Sequence, residues 1–218
     1  AVQPKVLLLD EPVSAVDEQT RDTLCTRLKQ LQRESGITAI HVCHSFGEML
    51  AVADRVGIIH EGRIMQVGTP QEILQRPRST MVARFVQAGN LLTAKSRVDG
   101  KWLRLSCDDG LQLTSPAPAT GPPSGEVTVM VRPENWRIES SLPDHPAPGS
   151  SVFAATVEQV TDCGPIVKVR VAVENKSAQD KTKVLVSLGK KEYDDGPVEV
   201  GKRVYLSVAP EHVHIVPE

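Results

Sequence analysis

Four consecutive apolar residues, Val6-Leu7-Leu8-Leu9, run directly into Asp10-Glu11-Pro12, and this stretch constrains the fold more than any other. Four residues are too few for a helix but suit a strand buried on both faces, as in the middle of a parallel α/β sheet. Side chains alternate along a strand, so the two carboxylates cannot point the same way unless the chain turns, and Pro12 imposes a break. The pair is thereby delivered to the carboxyl edge of a sheet, where the ligands of open α/β sheets collect. Adjacent carboxylates at such an edge can divide the labour. One holds Mg²⁺ through water while the other polarises an attacking water.

The pattern from Asp17 to Glu34 is helical, with Leu24, Leu28 and Leu31 in one apolar stripe and Gly36 as the C-terminal cap. Ile37 to Val42 is the next strand, ending in Cys43-His44-Ser45. A strand-helix-strand unit in a parallel sheet crosses over right-handed, which brings Asp10 and His44 to the same edge. An imidazole there can bond a terminal phosphate oxygen. His41, His60 and His145 read as packing residues. Arg55 to His60 and Arg63 to Val67 alternate about the turn Glu61-Gly62, and two short helices broken at Pro77 come after Gly68-Thr69-Pro70.

Beyond Gln87–Leu92 the pattern becomes valine-rich alternation: Val98–Ser106, Leu111–Thr114 and Val127–Val131, then 152–160, 165–173, 183–188 and 203–208. Turns are expected at Asp108-Asp109-Gly110, Asp162 to Pro165 and Asp194 to Pro197, with loops over Ser115–Gly125 and Ser140–Ser151. Many short strands at this spacing imply a small β-barrel or barrel pair. Val127-x-Val129-x-Val131-Arg-Pro-Glu-x-x-x-Ile138 recurs as Val204-x-Leu206-x-Val208-Ala-Pro-Glu-x-x-x-Ile215, so two copies of one strand-turn unit should pack as pseudo-symmetric halves. His212 and His214 read as solvent-facing residues on one face of the last strand.

The formal net charge of −2 leaves no basic footprint for nucleic acid, and 3% aromatics leaves few stacking platforms. No stretch approaches the ~18 apolar residues of a membrane span, and nothing at the start resembles a signal peptide. Cys25, Cys43, Cys107 and Cys163 are scattered and read as small buried apolar residues of a reducing cytosol. The chain starts at Ala1 and enters a buried strand almost at once, so further chain is expected upstream.

At these residues the chain resembles the nucleotide-binding subunit of ABC transporters. Asp10-Glu11 matches the Walker B aspartate and catalytic glutamate, Ser14-Ala15-Val16-Asp17 the D-loop, and His44 the switch histidine; Gly62 to Pro70 match the segment that ends the nucleotide domain. The family usually has Thr-His-Asp where this chain has Cys43-His44-Ser45. No G-x-x-x-x-G-K-[ST] and no Leu-Ser-Gly-Gly-Gln segment occurs. Residues from 90 onward resemble the OB-like, TOBE/MOP-like regulatory domain of bacterial importers of the sulfate, molybdate, iron, polyamine and maltose type.

The resemblance implies the fold: residues 1–89 as the carboxyl-terminal, α/β part of a P-loop ABC ATPase domain, and 90–218 as an all-β OB-like barrel domain. It also implies the cofactors ATP and Mg²⁺. Glu11 and His44 would be catalytic, Asp10 would hold Mg²⁺ through water, and Ser14 and Asp17 would contact the nucleotide sandwich. The implied partners are transmembrane permease subunits, a second nucleotide-binding subunit in a homodimer and, indirectly, an external solute-binding protein, with no nucleic acid. The location implied is the inner face of the cell membrane. Without a phosphate loop this stretch alone is expected to be inactive. An alternative is a non-hydrolytic, oxyanion-binding regulatory module that keeps a degenerate half ATPase domain. A DNA-repair ATPase would carry coiled-coil heptads and basic patches, and neither occurs.

Overall fold

A computed structural model describes residues 4–108, 110–117, 125–143, 146–174 and 182–217. They divide into two compact units, one ending at Gln75 and the other starting at Arg76.

The first unit opens with the expected crossover. Strand β1 (Val6–Asp10) pairs in parallel with β2 (Thr38–Val42), Val6 opposite Thr38 and Asp10 opposite Val42. Between them runs α1 (Glu18–Ser35), started by Asp17, whose side chain accepts from the Thr20 amide, and stopped by Gly36 at φ +64°. β1 differs from expectation in one respect. With β2 as its paired neighbour it is not buried on both faces: Leu8 is 72% exposed. The helix stripe is also shifted, since Cys25 is the buried residue of α1 while Leu24 and Leu31 are exposed. Then come α2 (Phe46–Val52), β3 (Val56–His60), β4 (Arg63–Gly68) and α3 (Pro70–Gln75). Glu61 and Gly62 both have positive φ, which is the two-residue hairpin turn expected between β3 and β4. His60 is exposed at the end of β3, so it is not a packing residue; His145 lies outside the described residues.

The second unit begins with α4 (Thr80–Phe85) and is otherwise β-rich. Its first half comprises β5 (Asn90–Asp99), β6 (Trp102–Cys107), β7 (Gln112–Pro116), β8 (Gly125–Val131) and β9 (Arg137–Glu139). Its second half comprises β10 (Ser151–Asp162), β11 (Ile166–Val173), β12 (Lys183–Gly189), β13 (Arg203–Val208) and β14 (His214–Val216), with α5 (Lys190–Asp195) after β12. The sheet orders are β14-β8-β5-β6-β7 and β12-β11-β10-β13-β9, all antiparallel.

The two copies of the repeated motif explain this order. Each runs strand, Pro-initiated 3-10 turn (Pro133–Asn135, Pro210–His212), then a three-residue strand that leaves for the other sheet. Thus β9 pairs with β13, and β14 pairs with β8. The inward-facing residues of both sheets, among them Leu105, Val129, Val169 and Leu206, fill one core around Trp136. This is the OB-like organisation expected after an α/β portion.

Several expected boundaries move. β5 begins at Asn90, inside the stretch read as a boundary, and the run Val98–Ser106 is split by a turn with Gly100 at φ +61°. Ser115 and Pro116 belong to β7 and Gly125 to β8; residues 118–124 of the expected loop, and Asp109 of the expected turn, lie outside the described residues. His212 sits in a 3-10 turn rather than on the last strand, and His214 is partly buried in β14. Cys25 and Cys107 are buried, Cys43 is intermediate, and Cys163 is exposed, contrary to the reading of all four as interior. Among the described residues no helix is long and apolar enough to cross a membrane.

Candidate active site

The parallel pair delivers the predicted residues to one edge. Asp10 closes β1, and the next amide, Glu11, still bonds to the Val42 carbonyl at 2.9 Å, so the ladder is held up to the carboxylates. Glu11 then adopts φ +43°, a backbone state that non-glycine residues seldom occupy. That turn separates the two acidic side chains. Its cost is offset by a local net: Ser14 donates to the Glu11 carbonyl from both its amide, at 3.2 Å, and its hydroxyl, at 3.0 Å.

His44 comes just after β2, and its Nδ1 stands 3.2 Å from Glu11 Oε1, with the two side chains 72% and 48% exposed. An exposed pair of this kind contributes little to stability. Its value is positional: a carboxylate and an imidazole from separate strands are held within hydrogen-bonding reach at an open edge. Asp10 and Glu11 are both exposed and offer carboxylate oxygens alone. That donor set fits Mg²⁺, a hard cation that keeps several waters.

The structure gives Asp17 a clear local role. It is the N-cap of α1, accepting from the Thr20 amide at 2.9 Å, and the Thr20 hydrogen bonds hold its carboxyl below the usual range. Arg21, which the sequence motifs do not single out, reaches back to the Val13 carbonyl at 3.5 Å and the Val16 carbonyl at 3.1 Å. With Val13 buried, these bonds pin the loop between Pro12 and Asp17. A basic residue four positions after an N-cap is too common a pattern to flag this from sequence.

Sequence reasoning also misses the opposite side of the β2 terminus. His41, Cys43 and Glu48 converge there, and Glu48 is buried beside Met49 near the start of α2. Burial, reinforced by the Glu48 carboxylate, pushes the Cys43 thiol above its ordinary value, and the same two causes raise Cys25.

Comparison with known proteins gives this geometry its family. The model of the TOBE domain matches residues 129–216. A spermidine/putrescine import ATP-binding protein of Acidothermus cellulolyticus is 32% identical over 216 residues, covering 96% of this chain and 53% of that protein. A molybdate/tungstate import ATP-binding protein of Pyrococcus horikoshii is 33% identical over 218 residues, covering 99% of this chain and 58% of that protein. The chain belongs to the family of ABC import ATP-binding proteins. It spans about half the length of the curated relatives it matches. A shorter match, 40% identical over 141 residues, covering 64% of this chain and 38% of that protein, is to a spermidine/putrescine import ATP-binding protein of Ruegeria pomeroyi. ABC importer family membership is what the Asp10-Glu11, Ser14–Asp17 and His44 motifs imply, and the TOBE domain falls within the β-rich unit expected to contain it.

Proposed function

We propose that this chain carries the metal- and water-positioning side of an ATP hydrolysis site in an ABC importer subunit. In this reading residues 1–89 serve the nucleotide-binding domain and 90–218 form its regulatory β-domain. The observation that supports it best is the 3.2 Å approach of His44 to Glu11 beside Asp10, at the carboxyl end of a parallel strand pair. Asp10 holds Mg²⁺ through water. Glu11 accepts a hydrogen bond from a water and orients it, and His44, standing beside the Glu11 carboxylate, donates its ring N–H to a phosphate oxygen. Mg-ATP, when bound, supplies the phosphoryl group and the negative charge that these residues are placed to handle. Ser14 and Asp17 stiffen the intervening loop at the face where a second copy of the subunit would close.

The partners in this reading are permease subunits and a second copy, with an external solute-binding protein acting indirectly, at the inner face of the membrane. Relatives named for polyamine and for molybdate/tungstate import favour an inorganic anion or a polyamine as the solute. The test is Glu11→Gln in the full-length gene product. Loss of a positioned base costs about 10²- to 10⁴-fold in turnover, while Mg-ATP affinity should stay within about threefold. Undiminished hydrolysis would remove Glu11 from the site.

A further inference from the structure

His41 and Cys43 lie two residues apart, so they leave the end of β2 on the same side, and Glu48 on α2 faces them. One donor atom from each, the His41 imidazole nitrogen, Cys43 Sγ and a Glu48 carboxylate oxygen, falls within 4.8 Å of the others. Glu48 is 5% exposed and His41 11%. The Nε2 of His41 and Oε1 of Glu48 face each other at 2.5 Å as an ion pair, in an alignment that does not make a hydrogen bond, and neither buried atom has a hydrogen-bond partner elsewhere. A buried carboxylate oxygen whose one close contact is poorly aligned is incompletely satisfied, and here it stands among two further donors, an imidazole nitrogen and a thiol, that an ion could share with it.

We propose that His41, Cys43 and Glu48 form a binding site for a divalent cation of the zinc class. Nitrogen, sulfur and carboxylate oxygen together match the donors of a borderline-soft ion and not those of Mg²⁺ or Ca²⁺, which take oxygen. In a tetrahedral zinc site neighbouring donors lie about 3.3–3.8 Å apart. Seating an ion therefore parts His41 from Glu48 by about 1 Å. Three protein donors leave a fourth position for water, so the site is exchangeable rather than a closed structural one. It is separate from the Asp10–Glu11–His44 edge: His44 is the next residue after Cys43, alternates to the other side, and is exposed. An ion bound to Cys43 would fix the peptide that carries His44.

Titration of the chain with Co²⁺ under reducing conditions tests this. One equivalent should bind with a thiolate-to-cobalt charge-transfer absorption, and Zn²⁺ should displace it. Cys43→Ser should abolish that band, and His41→Gln or Glu48→Gln should weaken affinity by at least about tenfold; Cys163→Ser, at an exposed thiol, should change nothing. A second readout needs no variant: Zn²⁺ should slow alkylation of Cys43 in the native chain by at least about tenfold, and Mg²⁺ should not. Absence of the band, its survival in Cys43→Ser, or equal alkylation rates with and without Zn²⁺ would each overturn the site.

Discussion

The side chain of Asn90 offers the sharpest test of how the β-rich unit is held together. It is 6% exposed at the start of β5. Its Nδ2 donates to the Val131 carbonyl at 3.1 Å and to the Leu185 carbonyl at 2.9 Å, while its Oδ1 accepts from the Leu185 amide at 2.7 Å. Leu185 lies in β12, the outermost strand of the other sheet, so Asn90 imitates one residue of a strand and satisfies an edge that would otherwise be unpaired. Truncation in Asn90→Ala removes three bonds worth about 1 kcal/mol each and strands the Leu185 amide and carbonyl in a partly buried place. The expected loss is about 3–4 kcal/mol. Both tryptophans, Trp102 and Trp136, belong to this unit, so fluorescence during urea unfolding reads it selectively. With a urea slope of about 2 kcal/mol/M the midpoint should fall by about 1.5–2 M. Gln112→Ala, which removes an exposed cross-strand bond to Ser106, should move it by under about 0.3 M. A shift for Asn90→Ala no larger than that of Gln112→Ala would refute the bridging role.

Two more outcomes are expected of the same unit. Gly89 has φ +85°, and a Cβ there would stand 2.4 Å from Pro133 Cγ, so Gly89→Ala should destabilise by about 2 kcal/mol or more, read as a lowered urea midpoint. His214 has its pKa lowered, first by burial and further by Arg76, with a hydrogen bond to the Pro77 backbone pulling the other way. A depressed histidine favours the neutral form in the folded state, so its stability is fully present above about pH 6.5 and is lost as the pH falls toward the folded value. The urea midpoint should therefore drop between pH 7.5 and 5.5, as about one proton is taken up on unfolding, and His214→Gln should flatten that slope.

The parts of the fold legible in the sequence are those where local chemistry leaves one choice. Gly36 closing α1, Glu61-Gly62 turning β3 into β4, and the valine alternation of β10 to β13 each state their structure within a few residues. β5 is harder to see, because its inward face reads Asn90, Leu92, Ala94 and Ser96 and so carries little apolar signal, and its first residue is polar for a reason 95 positions away. The short α5, Lys-Lys-Glu-Tyr-Asp-Asp, has no apolar period to announce it. At the candidate site, a right-handed crossover alone is enough to bring Glu11 and His44 to one edge, and they do meet. His41 reads as a packing residue because its significance depends on Glu48, which arrives from a different element.

The exchanged strands explain why the β-rich unit is expected to unfold as one. Val127–Ile138 and Val204–Ile215 keep the same backbone path: a strand, a Pro-initiated turn packed near a positive-φ glycine (Gly89 by Pro133, Gly149 by Pro210), then a short strand. The chemistry that locks the two ends has diverged. On one side Asn90 ties β5 to β12; at the equivalent first residue of β10 the Ser151 hydroxyl is buried without a hydrogen-bond partner, and the tie is made instead by Ser115, donating from β7 to the Val213 carbonyl at 2.9 Å. Backbone geometry is thus shared by the two halves while side-chain locks are specific to each. Because β9 finds its ladder partner on β13, and β14 on β8, neither half can complete its sheet without the other. Opening one half costs the other its edge strand, which makes cooperativity a consequence of topology.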